Sequence, residues 1–285
     1  MNLNNLLSEF SGKSVYHMLN PGNRGDALLN QGSKYLFAAH GVHTTEIWHP
    51  DNVTGQYLFI NGAGGFCKQH HDNVFRVLFY LHKFEFIFIL PASFDTRCNE
   101  VSSFLKHTEV QKKVVIFCRE KYSYEAVSKI YPSNRIFLDQ DLAFCFNWSV
   151  IQKKKGRGRL NAFRTDPEGL GGRNIPKNNW DISIDSWLYP HHNWRFFYLI
   201  RNLNCRIKSK ILGHVERQRC DRFIKDINRY EEIHTDRAHV AITVAMLGKR
   251  VYIYPNNYHK LLGLYERSLC NLKNVKFVNS ELFDR

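Results

Sequence analysis

The chain has 285 residues, of which 44% are hydrophobic and 14% aromatic, so it is long enough for two globular domains and too apolar to be disordered. No apolar run approaches the roughly 20 residues of a membrane span, and the first residues lack the basic start and apolar core of a secretory signal. We therefore predict a cytoplasmic protein. The net charge of +14 favours anionic partners: phosphorylated metabolites, an anionic membrane surface or nucleic acid.

Neither the cysteines nor the histidines are spaced like metal ligands. The seven cysteines lie far apart and include no CxxC pair, which is typical of reduced, mostly buried thiols. The histidines at 70–71, 191–192 and 214 also lack a ligand pattern, and we interpret them as core or surface residues.

The first predicted unit is a strand at 14–19, the turn NPGNRGD at 20–26 and a helix at 27–39. A strand, a glycine-bearing turn and a helix together offer backbone amides to a phosphate or carboxylate. Asn23 and Asp26 are therefore candidate binding residues. The alternative is a tight turn in which Asp26 only caps the helix.

Strands alternate with helices through the rest of the first half. The strand at 57–60 ends in NGAGG, where glycines such as Gly64 let a ligand approach the backbone. The strand at 84–90, which is apolar apart from Glu85, is predicted to stop at Pro91. The alternation predicts a doubly wound α/β domain over residues 1–152. Its other predicted elements are strands at 45–48, 114–118 and 136–138 and a helix at 123–130.

The basic run KKKGRGR at 153–159 is the best domain boundary, which gives a second domain over residues 153–285. Its first predicted strand, 160–163, ends at the motif RTDPE. The remaining predicted elements are a loop at 169–179, helices at 194–207, 215–230 and 261–269, and a strand at 275–278.

A βαβ unit near the C-terminus carries the densest cluster of candidate site residues. A strand at 232–234 leads through TDRAH to a helix at 240–247, which Gly248 ends, and a strand follows at 251–254. Strand ends and helix N-termini face the same way in such a unit. Arg237, His239 and the first helix amides can therefore meet one anionic ligand at the carboxyl edge of the sheet.

These strand-end motifs, taken together and in order, resemble the polysaccharide pyruvyl transferase family. Two departures are Ala238, where the family usually has leucine, and His259, where a glycine is more typical. The matching stretches are 20–26, 61–66, 90–93, 119–125, 141–144, 164–168, 235–239 and 257–260.

The resemblance implies an α/β fold of two Rossmann-like domains in a GT-B-like arrangement, with the active site in the cleft between them. It also implies phosphoenolpyruvate as donor and a lipid-linked or nucleotide-linked sugar as acceptor. The product would be a cyclic pyruvate ketal in exopolysaccharide, capsule or another surface glycan.

The residue types suit this chemistry. Phosphoenolpyruvate carries a phosphate and a carboxylate, which Arg164, Arg237 and Lys260 would bind. Ketal formation needs a proton on the enol carbon and a base for the attacking hydroxyl, for which His239 is the first candidate and Asp166 and Glu168 the second. Asn23, Asp26, Gly64 and Asn257 are expected to complete the substrate site. We expect no metal and no cofactor, because these cations can neutralise the phosphate.

Each candidate also has a structural alternative. His239 would only cap its helix, Arg237 would pair with Asp236 or Glu232, and Lys260 would lie on the surface. Arg164 and Glu168 would form a salt bridge at a domain interface, and Arg119 and Glu120 a local ion pair. Trp180, Trp187 and Trp194 would pack in the core, the alternative being to stack on a sugar.

Three other functions compete with pyruvyl transfer. A GT-B nucleotide-sugar glycosyltransferase is the nearest, since one fold hosts many reactions. A second alternative is a non-catalytic glycan-assembly protein, which would not need the charged candidate site residues. A third is nucleic-acid binding, but the sequence contains no recognised nucleic-acid module, so we expect no nucleic-acid partner. The basic stretches 153–159 and 201–219 either form a solvated basic surface or hold the protein peripherally on an anionic inner-membrane face.

Overall fold

The computed structural model describes residues 1–48, 50–68, 70–166, 168–169, 175–185 and 203–278. The strands are β1 (Ser14–Met18), β2 (His43–Ile47), β3 (Gly55–Ile60), β4 (Ala63–Phe66), β5 (Phe84–Phe94), β6 (Val114–Cys118), β7 (Ile136–Leu138), β8 (Arg159–Ala162), β9 (Glu232–Thr235), β10 (Arg250–Ile253) and β11 (Val275–Phe277). The α-helices are α1 (Leu3–Ser8), α2 (Arg24–Ala39), α3 (Asp72–Tyr80), α4 (Asn99–Lys106), α5 (Thr108–Lys113), α6 (Lys121–Ser128), α7 (Cys205–Ile227), α8 (Ala238–Met246) and α9 (Lys260–Leu264), which continues as a π-helical turn, Tyr265–Leu269.

Two parallel sheets form the α/β fold. One has seven strands in the order β2-β1-β3-β5-β6-β7 with β4 paired to β5, and the other has four in the order β11-β10-β9-β8. Helices between parallel strands cover the sheet faces, so the central strands are buried on both sides and read as apolar runs; β6 is buried throughout. The predicted α/β class with parallel sheets is confirmed.

The strand β5 runs through Pro91, so its predicted end there is wrong. The pairing of β5 with β6 shifts between Ile89 and Ala92, and this irregularity accommodates a residue that has no N–H to donate. Before Pro91, β5 pairs with β3, and beyond Pro91 it pairs with β4. Residues 61–62 therefore interrupt what would otherwise be one strand, and they open a loop at the carboxyl edge.

The helix α7 packs against elements of both sheets. It is continuous, so the predicted break between residues 207 and 215 is wrong, and residues 194–202 of the other predicted helix lie outside the described ranges. Gly213 of α7 faces Glu46 of β2 and Lys34 of α2, and a methyl group there would lie 3.4 Å from each side chain, an ordinary van der Waals contact. Farther along α7, Phe223 packs in the core of the smaller sheet.

One hydrophobic cluster includes residues from both sides of the predicted boundary at 152 and 153. Ala27 and Leu28 of α2 belong to the same buried cluster as Ile233 of β9 and Val240 of α8. The two sheets lie on either side of that boundary in the chain. The division into domains 1–152 and 153–285 stays a prediction.

A buried polar network anchors the loop after β3. Asn61 donates from Nδ2 to Asn30 Oδ1 at 2.8 Å and Ser33 Oγ at 3.0 Å, so its Oδ1 is left to accept from His17 Nε2 at 2.9 Å. His17 therefore carries its hydrogen on Nε2, and Nδ1 has no partner among the described residues. Burial lowers the pKa of His17 to about 4.

We expect acid to destabilise the protein partly through His17. Because its pKa falls from 6.5 to about 4 on folding, the unfolded chain binds the extra proton between these values. The free energy of unfolding should fall by about 3 kcal/mol from this residue as the pH drops through that window. Urea unfolding at stepped pH will measure it. His17→Gln, whose amide can still donate to Asn61, should lose less stability over the same window; equal losses would contradict the assignment.

Candidate active site

A cavity of about 660 Å³ lies at the carboxyl ends of strands from both sheets. Asn20 follows β1, Arg119 follows β6, Arg164 follows β8 and Arg237 follows β9, and all four line the cavity. Parallel strands bring the residues that follow them to one edge of the sheet, the usual place for a ligand. The volume lies within the range of about 300–1,000 Å³ that is common for ligand pockets.

Most of the predicted site residues line this cavity. Those that do are Asn23, Asp26, Gly64, Arg164, Glu168, Arg237, His239 and Lys260. Asp166 and Asn257 are not among the lining residues. Asp166 instead contacts two of the lining arginines, and the Asn257 amide lies 3.4 Å from the Glu168 carbonyl.

The start of α2 forms one wall of the cavity. Asn23 is the N-cap and accepts from the Gly25 amide at 2.7 Å, while Asp26 accepts from the Asn23 amide at 2.9 Å, which completes a capping box. The structural alternative for Asp26 therefore describes a real contact, although Asn23 is the cap. A methyl group on Gly25 would lie 2.5 Å from His239 Nδ1, so the first turn of α2 packs directly on that ring.

A fully buried ion pair supports His239. Arg119 donates from Nη1 to Asp141 Oδ2 at 2.7 Å and from Nε to Ser93 Oγ at 2.8 Å. The same Asp141 oxygen lies 3.8 Å from His239 Nε2. The predicted pair of Arg119 with Glu120 is wrong, because Glu120 caps α6 by accepting from the Ser123 amide. Neither Arg119 nor Asp141 was a predicted site residue.

The electrostatics of this group favour a charged carboxylate beside the imidazole. Burial alone would raise the pKa of Asp141, but Arg119 and His239 outweigh it and hold that pKa well below its usual range. His239 Nε2 is buried and has no hydrogen bond within the described residues. The alternative that His239 only caps α8 is wrong, since Arg237 is the N-cap and makes no side-chain cap bond.

Arg237 is held by two carboxylates. Its Nε donates to Asp181 Oδ1 at 2.5 Å, its Nη2 also bonds the second Asp181 oxygen, and Nη2 lies 2.9 Å from Asp166. The partners are therefore not the predicted Asp236 or Glu232. Asp181 lies outside the strand-end motifs, so the sequence carried no signal for it.

Glu168 links Arg164 to Lys260. Its Oε2 lies 2.6 Å from Arg164 Nη2 and 2.9 Å from Lys260 Nζ, so the alternative ion pair of Arg164 with Glu168 is present, but at the cavity wall. Lys260 is only 6% exposed, so the surface alternative is wrong. Burial would raise the pKa of Glu168, but Lys260 and Arg164 outweigh it and lower that pKa to about 2. Burial also lowers the pKa of Lys260.

Two further predictions concern residues outside the cavity lining. Trp180 is 38% exposed, so its predicted core position is wrong, and Trp187 and Trp194 lie outside the described residues. Among the described residues, His71, Cys98 and Glu100 bring three potential metal ligands within 4.8 Å of one another, but none of the three lines the cavity.

The chain belongs to the polysaccharide pyruvyl transferase family, whose model matches residues 23–258. A relative from Bacillus subtilis (strain 168), named "Putative pyruvyl transferase EpsO", is 24% identical over 260 residues, which cover 84% of this chain and 80% of the relative. A crystal structure of the uncharacterised protein KP1_0663 from Klebsiella pneumoniae shares the fold, with a TM-score of 0.74, 22% identity and coverage of 96% of each chain.

Family membership supports a transferase that acts on pyruvyl groups in polysaccharide biosynthesis. The matched region contains all the predicted site residues except Lys260. Within the described residues, no helix combines the length and apolar character required to cross a bilayer.

The buried pair of Arg119 and Asp141 should be important for stability. Asp141→Asn keeps the shape but leaves the Arg119 charge without its partner, so we expect a loss of about 3 to 5 kcal/mol in the free energy of unfolding. Urea titration will measure it. As a control, Glu109→Gln removes an exposed carboxylate that pairs with Lys112, and it should change nothing measurable. An unchanged urea midpoint for Asp141→Asn would contradict the buried pair.

Proposed function

We propose that this protein transfers the pyruvyl part of phosphoenolpyruvate to two hydroxyls of one sugar, which forms a cyclic ketal and releases phosphate. The observation that carries the proposal is the set of residues that line the cavity in this member of the family. Arginines and a lysine lie there together with His239, which is beside the charged Asp141. The acceptor would be a lipid-linked or nucleotide-linked sugar of exopolysaccharide, capsule or another surface glycan.

The fold proposed for this reaction is GT-B-like, with two Rossmann-like domains and the active site between them. Support comes from two separate parallel sheets whose strand ends both contribute to one cavity. Such an arrangement lets one sheet bind the donor and the other the acceptor.

The reaction balances without an oxidant. A proton adds to the methylene carbon of the enol, and the first sugar hydroxyl attacks the resulting oxocarbenium-like carbon. The second hydroxyl then forms the other ketal bond as the bond from carbon to the phosphate oxygen breaks. The two hydroxyl protons balance the proton placed on carbon and the proton taken by the departing phosphate.

His239 is the group proposed to move the proton. Because Nε2 faces the Asp141 carboxylate at 3.8 Å, we assign the exchange with substrate to the other ring nitrogen, Nδ1. The catalytic triad of serine proteases divides the roles in the same way, one ring nitrogen facing the carboxylate and the other moving the proton, although the two nitrogens are interchanged there. Glu168 is less suited to donate a proton, since its pKa of about 2 keeps it ionised at neutral pH. Asp166 is similar: burial would raise its pKa, but the bonds from Arg164 outweigh this and lower it.

Arg164, Arg237 and Lys260 are proposed to bind the donor, with Asn23, Asp26, Gly64 and Asn257 completing the substrate site. The three cations are already paired with carboxylates, so their own charges are largely cancelled before donor binds. Binding would then rest on rearranged pairs and on the first amides of α8, which the N-cap side chain of Arg237 does not bond and which favour an anion. No metal or cofactor is required in this scheme.

The direct test is phosphate release from phosphoenolpyruvate in the presence of a panel of lipid-linked and nucleotide-linked sugars. Release that depends on one acceptor, with the pyruvate ketal found in the product, is expected. Transfer from a UDP-sugar without any reaction of phosphoenolpyruvate would support a nucleotide-sugar glycosyltransferase instead.

Replacing His239 should separate catalysis from binding. His239→Gln should lower turnover roughly a hundredfold or more, the usual cost of losing a general acid or base, while donor affinity measured by calorimetry stays nearly the same. His234→Gln is the matched control, because His234 lies on β9 away from the cavity lining.

Near-normal turnover in a folded His239→Gln protein would overturn this role. Asp166→Asn and Glu168→Gln would then identify the proton-transfer group. Arg237→Lys keeps the charge but loses the planar fork, so it should weaken donor binding as well as turnover.

The basic surfaces are proposed to hold the protein at an anionic inner-membrane face, where a lipid-linked acceptor would lie. All the cations of residues 153–159 are exposed. The stretch 201–219 exposes less positive charge than predicted, because two of its cations are buried in ion pairs. Lys208 pairs with Asp51, and Arg219 pairs with Asp185 and Glu216. The exposed cations of α7 in that stretch are Arg206, Lys210 and Arg217.

We expect the protein to co-sediment with phosphatidylserine vesicles at low salt and much less at high salt, since each cation near such a surface contributes about 1 kcal/mol. Replacing Lys153, Lys154 and Lys155 together by Gln should reduce pelleting. Equal pelleting with phosphatidylcholine and phosphatidylserine vesicles would exclude an electrostatic membrane contact.

A further inference from the structure

Arg76 is a cation of the cavity to which no sequence motif pointed. It lies in α3 and lines the cavity with Arg119, Arg164, Arg237 and Lys260. Each of those four has a carboxylate oxygen at 2.7–2.9 Å. Their charges are therefore largely cancelled before any ligand binds.

Arg76 differs from the other four because it has no ion pair in the part of the chain that the structure describes. Its Nη1 donates to Asn73 Oδ1 at 2.8 Å and to Asn20 Oδ1 at 3.3 Å. The carboxylates of Asp72 and Asp26 attract it only from a greater distance. Amide oxygens carry no net charge, so they position the guanidinium without neutralising it.

The two amides that hold Arg76 are themselves fixed. Asn73 is 1% exposed and donates from Nδ2 to the carbonyls of Gly62 at 3.0 Å and Asn61 at 3.3 Å. Asn20 is 5% exposed and also donates to the Gly62 carbonyl. Both side chains therefore have to turn Oδ1 towards Arg76, and the guanidinium is positioned before a ligand arrives.

Among the described residues, Arg76 therefore has no counter-charge, and some of its N–H groups have no acceptor. Burial lowers its pKa, yet an arginine stays protonated at any physiological pH. Nε and Nη2 make no hydrogen bond within the described residues. A partly buried cation without a counter-charge is unfavourable, and a bound anion would relieve that cost.

We propose that Arg76 binds an anionic group, phosphate or carboxylate, of a substrate in this cavity. No carboxylate has to be displaced first, so Arg76 gains more from an incoming anion than the four paired cations do. Its free edge can bind two oxygens of one group. The identity of the substrate rests on the proposed function: the anion belongs either to phosphoenolpyruvate or to the diphosphate of a linked sugar acceptor.

Calorimetric titration of the full chain with phosphoenolpyruvate and, separately, with UDP distinguishes these two sources. Arg76→Gln should weaken one of the two ligands by about tenfold or more, because a charge-assisted bond is lost. Arg76→Lys, which keeps the charge, should lose less. Arg222→Gln removes the same charge from an exposed position of α7 and should leave both affinities unchanged. Melting temperatures will confirm that each variant is folded.

A loss of affinity confined to phosphoenolpyruvate assigns Arg76 to the donor, and a loss confined to UDP assigns it to the acceptor. Unchanged affinities for both ligands in folded Arg76→Gln would overturn the proposal. Absence of phosphate release by the wild-type protein would count against pyruvyl transfer only, because the titrations do not depend on turnover.

Discussion

The pairing of four buried cations with carboxylates is the constraint on which the candidate active site depends. Four cavity cations have carboxylate partners, and the pair of Arg119 with Asp141 is almost fully buried. Because removing one partner leaves an isolated buried charge, these residues must be retained or lost together. The Asp141 oxygen that accepts from Arg119 also lies 3.8 Å from His239 Nε2. One carboxylate therefore contacts both the residue that follows β6 and a residue of α8. Stability and the geometry of the site are therefore coupled.

The sequence predicted the parallel strands well because they are buried on both faces. The apolar run of β6 and the glycine that ends α8 are direct local signals, and Gly248 has the expected positive φ of 73°. Tertiary packing decided the rest. Pro91 stays within β5 because the neighbouring register adapts, and α7 continues through Gly213 because the helix packs along α2 and β2. Neither effect is visible in a single segment of the chain.

The strand-end motifs located the cavity, but the partners within it could not be read from the sequence. His239, Arg237 and Lys260 follow predicted strands and do line one cavity. Asp181 lies in an irregular segment, and it contacts Arg237 only because the fold brings the two together. Arg76 lies on a helix that carried no recognised signal, and its significance depends on having amides instead of acids as neighbours.

The close contact between α2 and His239 determines when the histidine ring loses its rotational freedom. Any side chain at position 25 would overlap the ring, since a methyl group there would lie 2.5 Å from Nδ1 and 2.8 Å from Cβ of His239. The helix backbone therefore restricts the imidazole as soon as the chain folds. The entropy of ordering that ring is lost on folding and need not be lost again when a substrate binds. The first turn of α2 thus preorganises a side chain that lies far away in the sequence.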